Sequence, residues 1–339
     1  MNISILSETQ IESAGNICLL EMRNSKGTNV RLINWGASLV SIETIDNKGE
    51  LSNILLGYSS PLEYIVDTYY MGATIGPFAN RIRNALFSVD GKLFYLDRNE
   101  GVNINHSGKA CVGRKCWNWE VIENSVCFSL LSPHLEGGFP GNLLLNIKYS
   151  LTDDDVLLIE YYGMTDAKTY VNLTNHAYFN LDDHTKRISE HWLQINADEI
   201  LETDSTFIPT GRLVSVKNTP FDFSKGHLIG DYLYDLNNQQ IVWNKGYNHY
   251  YVFRNVQASM SLLHAASLIC PSNGRRVDIF TDYPGMLLYT AGYYCCPDTG
   301  VCFETQYYPD TPSHIHFPSC LLSPGEVYYH KTAFKFSID

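Results

Sequence analysis

Alternation of apolar and polar residues is the feature that most restricts how this 339-residue chain can fold. In "LLLNIKYSL" at 143–151, every second residue is apolar, which places those side chains on one face of a β-strand. The run "TDDD" at 152–155 predicts a solvated turn, and "VLLIEYYG" at 156–163 predicts a strand that returns beside the first. Short strands separated by turns are typical of antiparallel sandwiches and barrels.

Other segments carry the same signal. "LFSVDGKLFYL" at 86–96 predicts two strands joined at Asp90-Gly91, a pair of residues that favours tight hairpins. "MLLYTAGYY" at 286–294 and "AFKFSI" at 333–338 predict further strands. We therefore expect an all-β protein in which most neighbouring strands run antiparallel.

Helical signals are scarce by comparison. Ser60 can cap a helix that Pro61 opens and Glu63 stabilises through a capping box, and this helix should end before Gly72. No glycine-rich phosphate-binding pattern follows a predicted strand. The sequence therefore predicts few short helices and shows no nucleotide-binding signature.

Composition narrows the class of protein further. Charged residues are 18% of the chain and the net charge is −12, with acidic and basic residues scattered along it. Nucleic-acid-binding proteins normally present a basic face, so we expect no nucleic-acid partner. No window approaches the roughly 20 apolar residues of a membrane span, and the first residues do not resemble a signal peptide, so we expect no membrane association. Nine cysteines that match no disulfide scaffold predict reduced thiols and a cytoplasmic protein.

Two polar segments within predicted strands are candidates for chemistry. In "VNLTNHAYFNL", alternation places His176, Tyr178 and Asn180 on one strand face. In "VCFETQ", Glu304 lies in an apolar strand, where a carboxylate is uncommon unless it is paired or used. Burial raises the pKa of such a carboxyl group and suits it to proton transfer.

Two loop segments are less specific. "GPFANRIRNALF" presents Asn80 and Arg81 just before the predicted hairpin, and "GVNINHSGKA" places His106 beside small residues. An arginine paired with a surface acid would explain Arg81 equally well, and a lone histidine such as His106 is more often a loop residue that is bonded locally. The pattern alone leaves both alternatives open.

Metal and serine-hydrolase chemistry find weaker support. His314-x-His316 has alternate spacing with Asp310 nearby, but no third histidine lies at a clear ligand spacing, so we predict no metal. The nucleophile motif G-x-S-x-G of α/β-hydrolases is missing from the sequence.

Taken together, these segments resemble the galactose mutarotases, the aldose 1-epimerase family. The resemblance runs nearly end to end and rests on the ordered blocks "GPFANRI", "INHSG", "EGGFPGNL", "LTNHAYFNL", "ILETDSTFIPTGRL", "TPFDF", "YPGMLLYTAGYY" and "FETQYYPDTPSH". It implies one large antiparallel β-sandwich domain over residues 1–339, with a sugar cleft on one sheet face. It also implies a cofactor-independent isomerase that interconverts the α and β anomers of a free hexose such as galactose or glucose. We expect a monomer or a weak homodimer.

The resemblance also assigns the reacting groups. Glu304, in the block "FETQ", matches the family's general base, and His176, in the block "TNHAYFN", matches its general acid. An acid and a base placed around the anomeric centre can open the sugar ring in one encounter. His106, in the block "INHSG", is implied to hold or polarise the ring oxygen.

Other positions concern recognition of the sugar. Asn80 and Arg81 match the family's sugar-contacting pair, and Tyr178 shares the strand face of the acid. Two positions depart from the family pattern, because Asn248 stands where many members have aspartate and Leu287 where many have glutamine. Asparagine keeps an acceptor but loses the charge, and leucine cannot bond a hydroxyl group. The resemblance therefore leaves the preferred sugar open.

Two alternative functions remain at this point. A non-catalytic sugar-binding protein on the same fold would need neither Glu304 nor His176, and the presence of both favours an enzyme. A related enzyme for a phosphorylated hexose would need cationic groups near the cleft, where the motifs supply Arg81 alone.

Overall fold

Antiparallel strands and the turns between them make up most of the computed structural model, which describes residues 2–182, 186–254 and 262–339. The strands of the first half are β1 (Asn2–Ile11), β2 (Gly15–Arg23), β3 (Asn29–Ile33), β4 (Ser38–Ile45), β5 (Leu51–Asn53), β6 (Thr74–Ile75), β7 (Arg81–Ile82), β8 (Leu86–Val89), β9 (Lys92–Tyr95), β10 (Ile104–Asn105), β11 (Asn118–Ile122), β12 (Ser125–Ser132), β13 (Leu143–Leu151) and β14 (Val156–Thr165). Those of the second half are β15 (Thr169–Tyr170), β16 (Thr174–Asn175), β17 (Tyr178–Phe179), β18 (Trp192–Ile195), β19 (Ala197–Thr203), β20 (Pro209–Ser215), β21 (His227–Leu228), β22 (Asn248–Phe253), β23 (Leu263–Ile269), β24 (Arg275–Thr281), β25 (Gly285–Tyr289), β26 (Val301–Gln306), β27 (Leu321–Leu322) and β28 (Tyr328–Ile338). The α-helices within the described residues are α1 (Pro61–Val66) and α2 (Gln239–Asn244).

Three large sheets organise these strands. One has nine strands in the order β11-β12-β13-β14-β28-β24-β23-β18-β21, and a second has six in the order β17-β26-β25-β22-β19-β20. The third is the five-stranded meander from β1 to β5. Neighbouring strands in all three run antiparallel, which confirms the predicted all-β class. Neither α1 nor α2, nor any other helix in the described ranges, is long and apolar enough to cross a membrane.

The main apolar core lies between the sheets. Phe179 of the six-stranded sheet contacts Phe334 of the nine-stranded sheet, with ring centroids 5.1 Å apart. Tyr149 from the nine-stranded sheet and Leu32 from the meander are buried in the same cluster. Burial of apolar side chains from facing sheets is what holds a β-sandwich together, and this core confirms the predicted sandwich.

Both predicted hairpins are present. They could be predicted because strand alternation and turn residues are local features of the sequence. β13 and β14 pair along their length, and the alternate residues of "LLLNIKYSL" are buried as predicted. β8 and β9 pair across Asp90 and Gly91, whose φ angles of 50° and 78° suit a two-residue hairpin turn. The predicted strand at 286–294 is wrong beyond Tyr289, where β25 ends. Ala291 has a φ of 55°, which breaks the extended conformation there.

The predicted short helix is α1. The Ser60 hydroxyl accepts a hydrogen bond from the Leu62 amide, and the Glu63 carboxylate accepts one from the Ser60 amide, which completes the capping box. The helix ends at Val66, before Gly72 as expected.

One face of the six-stranded sheet packs against the apolar core, and the other face forms the floor of a cleft. Phe303 of β26 and its neighbours Met286 and Leu288 of β25 point into the main core. Because side chains alternate along a strand, Glu304 and Leu287 point to the opposite face, which is the floor of a cleft. The sheet therefore carries core packing on one side and polar chemistry on the other.

Candidate active site

One cleft of about 320 Å³ is lined by all seven residues to which the family resemblance assigns catalysis or sugar binding, namely Asn80, Arg81, His106, His176, Tyr178, Asn248 and Glu304. Its lining residues are Thr68, Tyr69, Tyr70, Asn80, Arg81, Glu100, Asn105, His106, His176, Tyr178, Phe207, Asn248, Leu287, Tyr289, Tyr293 and Glu304. A cleft of this size suits a single small polar molecule.

Glu304 and His176 meet at the floor of the cleft. Glu304 lies on β26, and its Oε1 atom is 3.5 Å from Nε2 of His176. His176 lies in the link between β16 and β17, where its amide donates to the Ala73 carbonyl and its carbonyl accepts from the Gly72 amide. Gly72 has a φ of 67°, and a Cβ there would lie 1.8 Å from the Leu39 carbonyl oxygen, so this anchor requires glycine.

Burial perturbs the pKa values of this pair in opposite directions. It raises the pKa of the Glu304 carboxyl group from 4.5 to about 8, and Arg81 lowers it only in part. It lowers the pKa of the His176 imidazole from 6.5 to about 4. Desolvation disfavours the charged form of either group. Near neutral pH the pair therefore holds one proton, which either residue can carry across the 3.5 Å between them.

The Glu304 carboxylate keeps one oxygen available. Its Oε2 atom is buried and has no hydrogen-bond partner among the described residues. A buried acceptor without a partner is uncommon in native proteins and is frequent at functional sites. A ligand hydroxyl group at the cleft floor can satisfy it.

His106 presents a neutral imidazole with a defined tautomer. Its Nδ1 atom accepts a hydrogen bond of 3.2 Å from the Asn80 amide, so the remaining ring proton belongs on Nε2. Burial, followed by the charge of neighbouring His176, holds the pKa of His106 well below its usual range. His106 therefore acts as a hydrogen-bond donor that stays uncharged at neutral pH.

Arg81 is held rigidly at the wall of the cleft. Its guanidinium group donates two hydrogen bonds to the Glu100 carboxylate, at 2.6 and 2.8 Å, and lies 5.0 Å from the Phe207 ring centroid. The Asn80 side-chain oxygen accepts from the Arg81 amide, and Asn80 adopts a φ of 68°. Arg81 does pair with an acid, as in the alternative explanation given above, but both members of the ion pair line the cleft.

Tyr178 and Asn248 also face the cleft, whereas Asn180 does not. The side-chain amide of Asn180 donates to the carbonyl groups of Lys186 and Thr299, so the expectation that this side chain shares the cleft face of His176 is wrong. The segment is divided into the two-residue strands β16 and β17, so simple alternation does not extend along it. Leu287 is 6% exposed and packs in an apolar cluster with Tyr250, although it borders the cleft.

Several lining residues carry no local sequence signal. Tyr70 packs 5.0 Å from the His106 ring and 6.1 Å from the His176 ring, and it precedes Gly72 in a loop. Tyr289 of β25 and Tyr293 border the cleft from a neighbouring strand and loop. Aromatic residues are frequent throughout this chain, and only the tertiary fold distinguishes these three.

The His314-x-His316 pair lies outside the cleft. His314 lies 3.4 Å from the buried Asp310 carboxylate, and His316 contacts the Gly211 carbonyl at 2.9 Å. The potential ligand atoms that come together in the described part of the chain are instead those of His106, His176 and Glu304, all within 4.8 Å of one another. Two imidazoles and a carboxylate are donors that transition metals accept, so the expectation of a metal-free site stays a prediction.

A buried acid–base pair with a neutral donor beside it, on one face of a β-sandwich, defines a class of enzyme. The arrangement suits an isomerase that moves protons on a small, hydroxyl-rich molecule.

Comparison with known proteins identifies the family. The sequence model of the family described as aldose 1-epimerase matches residues 19–335. Galactose mutarotase from Bos taurus is 34% identical over 339 residues, covering 96% of this chain and 95% of its own. Aldose 1-epimerase from Escherichia coli (strain K12) is 33% identical, covering 94% of each chain. The crystal structure of galactose 1-epimerase from Lactobacillus acidophilus NCFM superposes with a TM-score of 0.87 at 26% identity, covering 100% of this chain and 99% of its own. The chain therefore belongs to the aldose 1-epimerase family, a family of isomerases.

Proposed function

We propose that this protein interconverts the α and β anomers of a free hexose such as galactose or glucose, with Glu304 as base and His176 as acid. The observation that carries the proposal is the 3.5 Å separation of Glu304 Oε1 and His176 Nε2 at the floor of the cleft. The ring oxygen and the C1 hydroxyl group are bonded to the same carbon, so two groups side by side can reach both.

The reaction balances its protons on this pair. The Glu304 carboxylate removes the proton of the C1 hydroxyl while His176 Nε2 donates a proton to the ring oxygen, and the bond from C1 to that oxygen breaks. The product is the open-chain aldehyde, with the pair's proton now on Glu304. Rotation about the C1–C2 bond exposes the other face of the aldehyde, and the reverse transfers close the ring as the opposite anomer.

The pair's pKa values define the resting state from which this cycle starts. Both distributions of the single proton, on the carboxylate or on the imidazole, occur within one turnover. Burial raises the pKa of Glu304 to about 8 and lowers that of His176 to about 4, so in the empty cleft the shared proton rests on Glu304 and has to pass to His176 before the ring opens. No proton has to be exchanged with solvent between ring opening and ring closure.

The remaining predicted residues position the sugar. Nε2–H of His106 can donate to the ring oxygen because the Asn80 amide occupies its Nδ1 atom. Arg81, held by Glu100, offers its remaining donors to sugar hydroxyl groups. We assign Tyr178 and Asn248 to the cleft walls as further polar contacts.

The alternatives have less support. A sugar-binding protein without turnover has no use for a desolvated carboxyl group, which lowers stability when it ionises. For a phosphorylated hexose the cleft offers poor charge complementarity, because Arg81, the cation among its described lining residues, is already paired with Glu100.

We also expect one domain over residues 1–339, a cytoplasmic location, and a monomer or weak homodimer. Sedimentation of the purified protein would test the oligomeric state.

Polarimetry tests the proposal directly. Freshly dissolved α-glucose, α-galactose and several pentoses should each be followed with and without protein, since spontaneous mutarotation supplies the baseline. We expect the protein to accelerate the change in rotation without altering its end point. Rates equal to the baseline for every sugar, in a folded sample, would leave the binding-protein alternative.

A further inference from the structure

The His176 ring has a second contact on the side away from Glu304. Its Nδ1 atom lies 3.7 Å from Sγ of Cys302, within hydrogen-bond range for sulfur. Cys302 and Glu304 are two residues apart on β26, so both point to the cleft face of the sheet. The imidazole is thus held between two side chains of one strand, the carboxylate at Nε2 and the thiol at Nδ1.

Cys302 is not an exposed or reactive cysteine. Its side chain is fully buried, and it packs with Tyr178 and Tyr289. Burial, followed by the nearby Glu304 carboxylate, raises the pKa of its thiol well above the usual range. The sulfur therefore remains an uncharged thiol, which can accept a hydrogen bond weakly or donate one.

The proposed reaction decides between these two roles. His176 has to give a proton from Nε2 and take it back, so the proton on Nδ1 must stay in place throughout the cycle. A ring whose Nδ1 keeps its proton needs an acceptor beside that atom, and Sγ of Cys302 is the acceptor in contact. His106 shows the opposite arrangement, since a backbone amide donates to its Nδ1 atom and leaves the proton on Nε2.

We infer that Cys302 is a positioning residue, which accepts a hydrogen bond from Nδ1–H of His176 and so keeps Nε2 as the atom that exchanges protons with the sugar. The partner of such a histidine is often a carboxylate or a carbonyl group, which stabilises the imidazolium ion. A thiol is a weaker and uncharged acceptor. It fixes the tautomer while leaving the imidazolium acidic enough to protonate a ring oxygen.

Substitution kinetics test this role, which rests on the proposed function. Cys302→Ala removes the acceptor, and we expect kcat to fall about 3- to 10-fold with KM nearly unchanged, the usual effect of one lost hydrogen bond. Cys302→Ser restores an acceptor and should bring kcat closer to the unaltered protein than to Cys302→Ala. Cys320→Ala is the matched control, because Cys320 is also buried but packs in a separate cluster with Phe87 and Phe139.

The tautomer itself gives a readout that does not depend on activity. In protein labelled with ¹⁵N at histidine, the neutral His176 ring should carry its proton on Nδ1, and Cys302→Ala should increase the share of the Nε2–H form. A ring with its proton on Nε2 in the unaltered protein would overturn the inference. So would Cys302→Ala kinetics that match those of Cys320→Ala. Absence of mutarotation in the unaltered protein would instead contradict the proposed function.

Discussion

Replacing Glu304 by glutamine should abolish most of the activity and stabilise the fold at the same time. Glutamine keeps the shape of the side chain but cannot accept a proton, so the polarimetric rate should fall by about 10²–10⁴-fold, the usual contribution of a general base. The gain in stability follows from burial, because the Glu304 side chain is 1% exposed and its charge is poorly solvated.

The pH dependence of that gain can be worked out from the pKa. The unfolded carboxyl group loses its proton near pH 4.5, whereas the folded one keeps it up to about pH 8. Between these values the folded protein binds one proton more than the unfolded chain, so its stability falls by about 1.4 kcal/mol for each pH unit. The stabilisation by this proton is fully present below pH 4.5 and is lost as the pH rises through about 8. Over the whole interval the loss of stability is on the order of 5 kcal/mol, and Glu304→Gln avoids this loss.

Urea unfolding of both proteins at a series of pH values measures this difference. We expect the free energy of unfolding of Glu304→Gln to exceed that of the unaltered protein by an amount that grows from pH 4.5 to pH 8. Glu160→Gln is the control, because the Glu160 carboxyl is also buried. Although burial opposes it, hydrogen bonding from Tyr329 and the charge of Lys148 keep its pKa below the usual range. That variant should lose stability at neutral pH. A Glu304→Gln difference that does not change with pH would refute the argument that Glu304 is desolvated.

Three other perturbations test the site. His176→Asn should reduce the polarimetric rate by about 10²–10⁴-fold while thermal unfolding stays cooperative, whereas activity that merely tracks the folded fraction would point to a structural histidine. Prolonged chelation should leave the rate of the native enzyme unchanged, and a loss restored by added metal would assign the His–His–Glu trio to a metal instead. Asn248→Asp combined with Leu287→Gln should improve kcat/KM for galactose by about 1–3 kcal/mol, because one buried hydroxyl group regains its partners. Unchanged galactose kinetics in a folded double variant would remove both residues from sugar recognition.

Sequence patterns predicted the parts of the fold whose causes are local. The β13–β14 hairpin follows from alternation over nine residues and an acidic turn, and the capping box of α1 lies within four consecutive residues. Asn180 was misplaced because alternation assumes a continuous strand, while the chain there runs as β16, a link and β17. The Asn180 side chain is instead oriented by hydrogen bonds to the carbonyl groups of Lys186, in the loop that follows, and of Thr299, far along the chain, and strand alternation encodes neither contact.

In the candidate site, too, the residues with an unusual local sequence could be predicted, whereas those brought in by the tertiary fold could not. The sequence pointed to Glu304 because acidic residues are rarely buried unless they are paired, and this one lies in an apolar strand. It pointed to His176 because that residue lies among asparagines and aromatic residues. Tyr70, Glu100 and Phe207 reach the cleft from separate loops, so their approach depends on how the sheets are closed. Cys302 looked like one more apolar residue of β26, and only its distance to Nδ1 of His176 distinguishes it.

Leu287 links recognition of the sugar to the reactivity of the base. It is the direct cross-strand partner of Glu304, and behind it lies an apolar cluster that includes Tyr250 and Tyr308. An apolar neighbour adds to the desolvation that raises the pKa of Glu304, whereas a glutamine amide there could donate to the carboxylate and lower it. Leu287→Gln alone should therefore shift the pair's proton towards His176, the distribution that starts ring opening. If this effect dominates, kcat near pH 7 should rise for every aldose, including those without the hydroxyl group that glutamine would bind. A gain confined to kcat/KM for galactose would show that position 287 acts through the sugar alone.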